Sequence, residues 1–319
     1  MTGYVLRRIL WMIPLLWAVA TITFFLMHMV PGGPFDHEKE IPAAAQENLE
    51  KAYNLDKPVW EQYVLYMRGL LQGDLGNSYQ GSARPVSDII QERFPTSFQL
   101  GVVTFVFAIT FGMTLGVLAA VRHNSAVDYG GVFFASVGAA LPNFILATFL
   151  TTIFAVQLGW FDVLGWGGPD QIWQTPNPFA YDYRKVVLPV LSLGVLSAAF
   201  IARVTRASML EVLNQDYVRT ARAKGLREYR IVLRHSIKNA MIPVLTVAGP
   251  IFAFLVTGSF IVERWFAIPG IGQTFVESVF VRDYGMIMGT TLFFAFLVAF
   301  MNLIVDILYA YVDPRIRYS

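Results

Sequence analysis

Six stretches of the chain are long, apolar and almost free of charge: residues 9–30, 98–121, 132–158, 186–202, 241–262 and 285–309. Crossing about 30 Å of hydrocarbon at about 1.5 Å per residue takes roughly 20 mostly apolar residues, so each stretch is a candidate membrane span, the fourth being the shortest. None of them alternates polar and apolar positions in the way a barrel strand must, and the pattern therefore predicts spanning helices. Arg7 and Arg8 precede the first stretch in the manner of a signal peptide. The run is longer than such a peptide needs, and Met29, Val30, Pro31 and Gly32 follow it where a small-residue cleavage site would stand, so it reads as a retained anchor.

The segments between the spans are unequal. Residues 31–95 are too long for a simple turn and contain helix-like pieces at 43–53 and 59–71. In the second piece Trp60, Tyr63, Tyr66, Met67 and Leu70 recur at helical spacing, a stripe expected to pack on neighbouring helix ends or lie at the lipid interface. The other long segment, 203–240, is basic. The chain thus divides into residues 1–30, a first span; 31–97, a helical segment outside the membrane; 98–309, a five-span core carrying the 203–240 loop; and 310–319, a tail. It shows no internal repeat, low-complexity tract or detachable soluble domain.

Composition supports the membrane reading. Of 319 residues, 55% are hydrophobic and 14% charged, against about 25% charged in ordinary soluble domains. A net charge of +2 does not point to nucleic acid, and the absence of cysteine excludes disulfides and thiolate metal sites. Placement of charge matters more. With the N-terminus inside, Arg7, Arg8, Arg122, Arg315, Arg317 and the block from Arg203 to Lys238 fall on one side, while most acidic residues dilute the basic ones on the other. The positive-inside rule then predicts both termini in the cytoplasm.

The basic loop has the punctuation of a helix, a turn and a second helix. Asn214 or Asp216 is placed to cap the first; Tyr217, Val218, Arg219, Thr220, Ala221, Arg222, Ala223 and Lys224 continue it; Gly225 supplies a left-handed C′ position, followed by apolar Leu226. Small Ala221 and Ala223 suit a helix that enters a partner's groove. In the second helix Arg227, Arg230, Arg234 and Lys238 form a basic stripe, which favours anionic lipid heads at the cytoplasmic leaflet over contact with a partner protein, the other reading it allows. DNA binding is a poor reading for a segment tied to the membrane at both ends.

The run Tyr217-Val-Arg-Thr-Ala-Arg-Ala-Lys-Gly-Leu226, continued by Leu233-Arg-His-Ser-Ile-Lys-Asn-Ala-Met-Ile-Pro243, resembles the EAA loop of ABC importer permeases in its peptide-transporter form. Ala221 and Gly225 match the general pattern of that loop, while Arg219 and Thr220 stand where Glu and Ala are usual. Arg7-Arg-Ile-Leu10 with Ile13-Pro14, Val30-Pro-Gly-Gly-Pro-Phe35, Gln62-Tyr63, Gly73-Asp-Leu-Gly-Asn-Ser78, Pro269-Gly-Ile-Gly272 and Asp313-Pro-Arg-Ile-Arg-Tyr318 are similar to the B-type permease subunits of oligopeptide and dipeptide importers. The resemblance spans nearly the whole chain. It implies the all-α, six-span type I importer permease fold in a bacterial cytoplasmic membrane. The implied partners are a second, C-type permease subunit, two ATPase subunits, an external binding protein and a peptide. It also implies that residues 219–226 couple to the ATPases, and that ATP and Mg are bound by those partners and not by this chain.

The residues agree with a transport subunit that does no bond chemistry. No G-x-x-x-x-G-K-[ST] phosphate loop occurs. An ion-coupled carrier would need ionisable groups within the membrane; Asp306 is the best candidate, and a structural role suits a lone carboxylate at a helix end better. His28, His37, His123 and His235 show no metal-ligand spacing, and no Ser/His/Asp cluster is visible. In the second span Gly112 and Gly116 predict a close-packing face, and in the third Pro142 with Asn143 predicts a structural kink that could also meet a translocation path. Nickel and dipeptide importers have similar B-type subunits; Pro31-Gly-Gly-Pro-Phe35 leans toward the oligopeptide group, and the choice among the three substrates stays open at this level.

Overall fold

The computed structural model describes residues 2–34, 43–80, 83–168 and 181–312. Phe35, His37, and residues 313–319 with their Asp-Pro-Arg-Ile-Arg-Tyr motif lie outside the described residues. The helices are α1 (Thr2–Met29), α2 (Ala43–Ala52), α3 (Val59–Leu71), α4 (Val86–Val121), α5 (Ala126–Ala140), α6 (Asn143–Leu150), α7 (Tyr183–Leu213), α8 (Asp216–Ala223), α9 (Glu228–Arg230), α10 (Ile237–Val256), α11 (Phe260–Trp265), α12 (Ile271–Phe280) and α13 (Tyr284–Val312). Wider π-helical turns extend α6 over Thr151–Gln157 and join α9 to α10 over Ile231–Ser236.

The centre is the α4–α7 pair. Glycine lets the two backbones approach: a Cβ on Gly112 would stand 2.6 Å from the Ala198 carbonyl oxygen, and one on Gly116 2.6 Å from that of Ala202. The spacing of four on both helices is the close-packing face read from the sequence. The 36-residue α4 and 31-residue α7 are about 54 and 46 Å long, so both project beyond a 30 Å hydrocarbon layer. The fourth span therefore does not stop near residue 202, and Arg203 to Leu213 are the last turns of α7 and not loop. At the other end α4 begins at Val86 and runs through Pro95.

α1 and α13 form an antiparallel pair against this core. Only 11% of the apolar window of α1 is buried, against 61% for α7, and Trp11, Ile13 and Trp17 on α1 are exposed, as lipid-facing side chains would be. Arg8 Nη2 lies 2.8 Å from Asp306 Oδ2, joining one end of the pair. Asp306 is thus an ion-pair partner, in keeping with the structural role. At the opposite end α3 leans on α1: Tyr63 lies 5.4 Å from the ring of Phe24 and 5.3 Å from that of Phe25, and Thr21 Oγ1 lies 2.8 Å from Tyr63 Oη. Trp60, at the start of the same stripe, remains 66% exposed.

Two further spans are corrected. Residues 132–158 do not form one helix, because the axis turns by 108° between α5 and the α6 segment. Leu141 is extended (φ −89°, ψ 118°), as a residue preceding proline prefers to be, and Pro142 restarts the helix as its N-cap. α6 then packs across α7 and α11, where Ala147 joins the buried cluster of Leu100, Leu188, Leu193, Leu255 and Phe266. The fifth span ends at Val256 rather than 262. Gly258 (φ +93°) turns the chain, and Ser259 Oγ caps α11 by accepting from Val262 N–H at 3.3 Å.

Candidate functional site

The 213–239 segment is a compact hairpin. Asn214 does not cap α8, because its side-chain Nδ2 donates to the Leu210 carbonyl at 2.9 Å and it closes α7 instead. Asp216 is the first residue of α8 and Gln215 occupies the N-cap without a side-chain bond. The other end matches the expectation for Gly225. Its φ is +75°, its N–H donates to the Arg222 carbonyl at 2.9 Å, and the Leu226 N–H donates to that of Ala221 at 3.3 Å. Those are the two hydrogen bonds of a Schellman motif.

Inside the hairpin, Val218 and Ala221 pack on Ile231, all three buried. Ala221 is therefore occupied within the chain and does not face a partner, which corrects its expected entry into a groove. Arg222 is also engaged: Nη2 donates to Glu228 Oε1 at 2.7 Å and Nε to Oε2 at 3.2 Å. This fork holds the Glu228 carboxyl below its ordinary range and raises the Arg222 guanidinium. Tyr217 Oη accepts from Asn239 Nδ2 at 2.7 Å, closing the base. What α8 offers outward is Arg219, Thr220, Ala223 and Lys224, with Gly225 and Leu226 at the turn. Arg227, Arg230, Arg234 and Lys238 are all exposed on the second arm.

Pro142 and Asn143 sit at the 108° bend, away from the hairpin. Asn143 opens α6, and its Oδ1 is buried without a hydrogen-bond partner. On the hairpin side of the bend, buried Asp128 accepts from Arg206 Nη2 at 2.8 Å and from Asn124 N–H at 3.0 Å, and lies 3.0 Å from His123 Nδ1, tying the start of α5 to the end of α7.

Glu263 is the residue the sequence reading missed. It is fully buried at the far end of the molecule from the hairpin, where Oε1 accepts from Ser259 N–H at 3.2 Å and Oε2 from Gln273 N–H at 3.1 Å. No ion-pair partner approaches it among the described residues. A Cβ on Gly258, Gly270 or Gly272 would press on its carboxylate, so the Pro269-Gly-Ile-Gly272 motif and Gly258 form its cradle. Ser97 of α4 completes the joint by accepting from Ile271 N–H at 2.9 Å. The available signal was a lone Glu flanked by glycines five residues before it and seven and nine after it.

The described residues thus present an exposed, torsionally defined hairpin at one end of a small-residue helix core, and a broken apolar helix in the middle of it. Residues 112–318 match the family described as "Binding-protein-dependent transport system inner membrane component", and residues 1–101 match its N-terminal companion. The chain belongs to that family. Over 99% of its length it is 42% identical to the dipeptide transport system permease protein of Bacillus subtilis (strain 168), 98% of which is covered. Over its full length it is 40% identical to the oligopeptide transport system permease protein of Haemophilus influenzae, which is covered completely. Among solved structures, the inward-facing MetNI methionine ABC transporter matches with a TM-score of 0.55 at 19% identity, covering 70% of this chain and 96% of that one. The fold is accordingly that of an ABC importer permease, an all-helical multi-pass membrane component and not an enzyme.

Proposed function

We propose that this permease forms half of the membrane path of an ATP-driven importer of peptides, oligopeptides before dipeptides or nickel, and that the α8 hairpin is where it engages its ATPases. Full-length likeness to both an oligopeptide and a dipeptide permease supports the substrate class. In this reading a second, C-type permease subunit completes the path, an external binding protein delivers the peptide, and two ATPase subunits hold ATP and Mg. The hairpin end lies in the cytoplasm with both termini, as its excess of Arg and Lys favours. α2, α3 and the Glu263 cradle face outward. Pro142 and Asn143 line the path: irregular backbone at membrane depth is tolerated where it borders protein or a water-filled cavity, and the unpartnered Asn143 Oδ1 gives such a cavity a polar group.

The observation that carries the coupling assignment is the outward face of α8, held in one conformation by the Gly225 turn and the Arg222–Glu228 fork. Ala223→Glu adds bulk and charge to that face without touching the Val218–Ala221–Ile231 contact. The variant is expected to reach the membrane in normal amount and to lose the co-purifying ATPases, or to keep them with hydrolysis no longer stimulated by loaded binding protein. Wild-type assembly and stimulation would remove the hairpin from the coupling role. Titrating the binding protein with peptides of graded length, and with nickel, tests the substrate class separately.

A further inference from the structure

At the opposite end from the hairpin, a recess of about 250 Å³ opens between the end of α1, residues 52–55, α3, residues 74–79 and the start of α13. Aromatic rings make up part of its wall, beside amide, glycine and aliphatic residues. Phe24, His28, Tyr53, Tyr66, Tyr79 and Tyr284 all line it, with ring centroids of Tyr53 and Tyr79 4.4 Å apart and those of Tyr79 and Tyr284 6.2 Å apart. Asp74 lines it too, while no Lys or Arg does. A second carboxylate, Asp283, is buried just behind the Tyr79 wall, accepting from the N–H groups of Tyr79 and Met286 at 3.0 Å each. Neither Asp74 nor Asp283 has an ion-pair partner among the described residues. Burial, with these carboxylates adding to it, pushes the Tyr66 and Tyr79 phenols up, so both stay neutral. Tyr66 Oη is buried and makes no hydrogen bond.

We propose that this recess binds a single organic ammonium group. The rings present their negative faces to the cation, Asp74 supplies the counter-charge, and Tyr66 Oη accepts one N–H of the ligand. The volume lies below the roughly 300–1,000 Å³ that encloses drug-sized ligands, which suits one headgroup and not a peptide. The α4–α7 core, α10 and α11 contribute no wall. The ligand is therefore held at the rim and is not cargo. Two sources share this chemistry: a free small amine, and the headgroup of an ethanolamine phospholipid.

The test uses the complete transporter in detergent, comparing its thermal midpoint in ethylammonium, tetramethylammonium and sodium chloride at equal ionic strength. Both organic cations are expected to raise the midpoint above the sodium value. Asp74→Asn should weaken both responses about tenfold in concentration, and it preserves the turn because Asn still accepts from the Gly76 N–H that Asp74 Oδ1 binds at 2.8 Å. Tyr66→Phe should weaken the ethylammonium response and spare that of tetramethylammonium, which has no N–H to donate. This second variant carries the test if the first fails to fold. Equal midpoints in all three salts, or equal shifts in wild type and variants, would overturn the site. Nanodiscs assign the source: a response to ethylammonium lost in ethanolamine lipid and kept in glycerol lipid identifies the headgroup, and one kept in both identifies a free amine.

Discussion

The fifth span is closed at each end by turns that contain glycine. Before α10 the chain turns at Gly225, and after it at Gly258 and again at Gly270. At Gly225 nothing lies within 4 Å of the place a Cβ would take, and the backbone has φ +75°. At Gly270 φ is −101°, which any residue adopts, and the Cβ would instead overlap the Glu263 carboxylate and Ser97 Oγ. One glycine answers a torsion and the other answers a volume. The hairpin is consequently a local device stabilised by an exposed fork, whereas the Glu263 cradle is a buried joint between α4, α11 and α12.

The largest effect is expected at the joint. Gly270→Ala forces a side chain into a packed site and should cost about 1–3 kcal/mol, seen as a lower midpoint in thermal unfolding of the purified transporter. Gly270→Asn should be worse still. At the hairpin the order reverses: Gly225→Val pays the left-handed penalty of about 1–2 kcal/mol and loosens the turn, while Gly225→Asn, which tolerates that region, should retain coupling and wild-type resistance of the hairpin to proteolysis. Equal rescue by Asn at both glycines would erase the distinction.

The smallest effect concerns the Arg222–Glu228 fork, both of whose side chains are roughly half exposed, so its contribution is at most about 1 kcal/mol. Because the folded Glu228 carboxyl is held low, that contribution is complete above the unfolded value of about 4.3. It is lost as pH falls through the folded value. Since the chain has no native cysteine, spin labels at introduced cysteines 220 and 233 can report hairpin width. Wild type and Glu228→Gln should differ at pH 7 and converge in acid; a difference that survives full protonation would assign the width to something other than the fork.

Much of this architecture was legible because lipid demands long apolar runs. The helix pieces at 43–53 and 59–71 and the Gly112–Gly116 face lie within a residue of expectation, and the torsion at Gly225 follows from helix-end chemistry. Other features were hidden for physical reasons. An apolar run has no marker for direction, so Pro142 announced a break without announcing 108°. The side of Ala221 was misjudged because residue size was weighed without its neighbour at i−3, Val218, which marks the inward face. Glu263 went unnoticed because one carboxylate beside Arg264 reads as a solvated rim residue. Arg264 in fact turns away, with Nη1 2.6 Å from Glu277 Oε1.

The second arm of the hairpin runs without interruption through the π-helical turn into α10, so residues 228–256 form one helical rod of about 43 Å. Such a rod is a lever: a tilt of about 5° at its hairpin end displaces the far end by roughly 4 Å at that length. It is also jointed, because Pro243 and Pro250 lie within α10 and neither can donate the usual helix hydrogen bond. Under the coupling role proposed above, a push at Gly225 reaches the Glu263 cradle softened at two points, and the stiffness of those two points sets how much of it arrives.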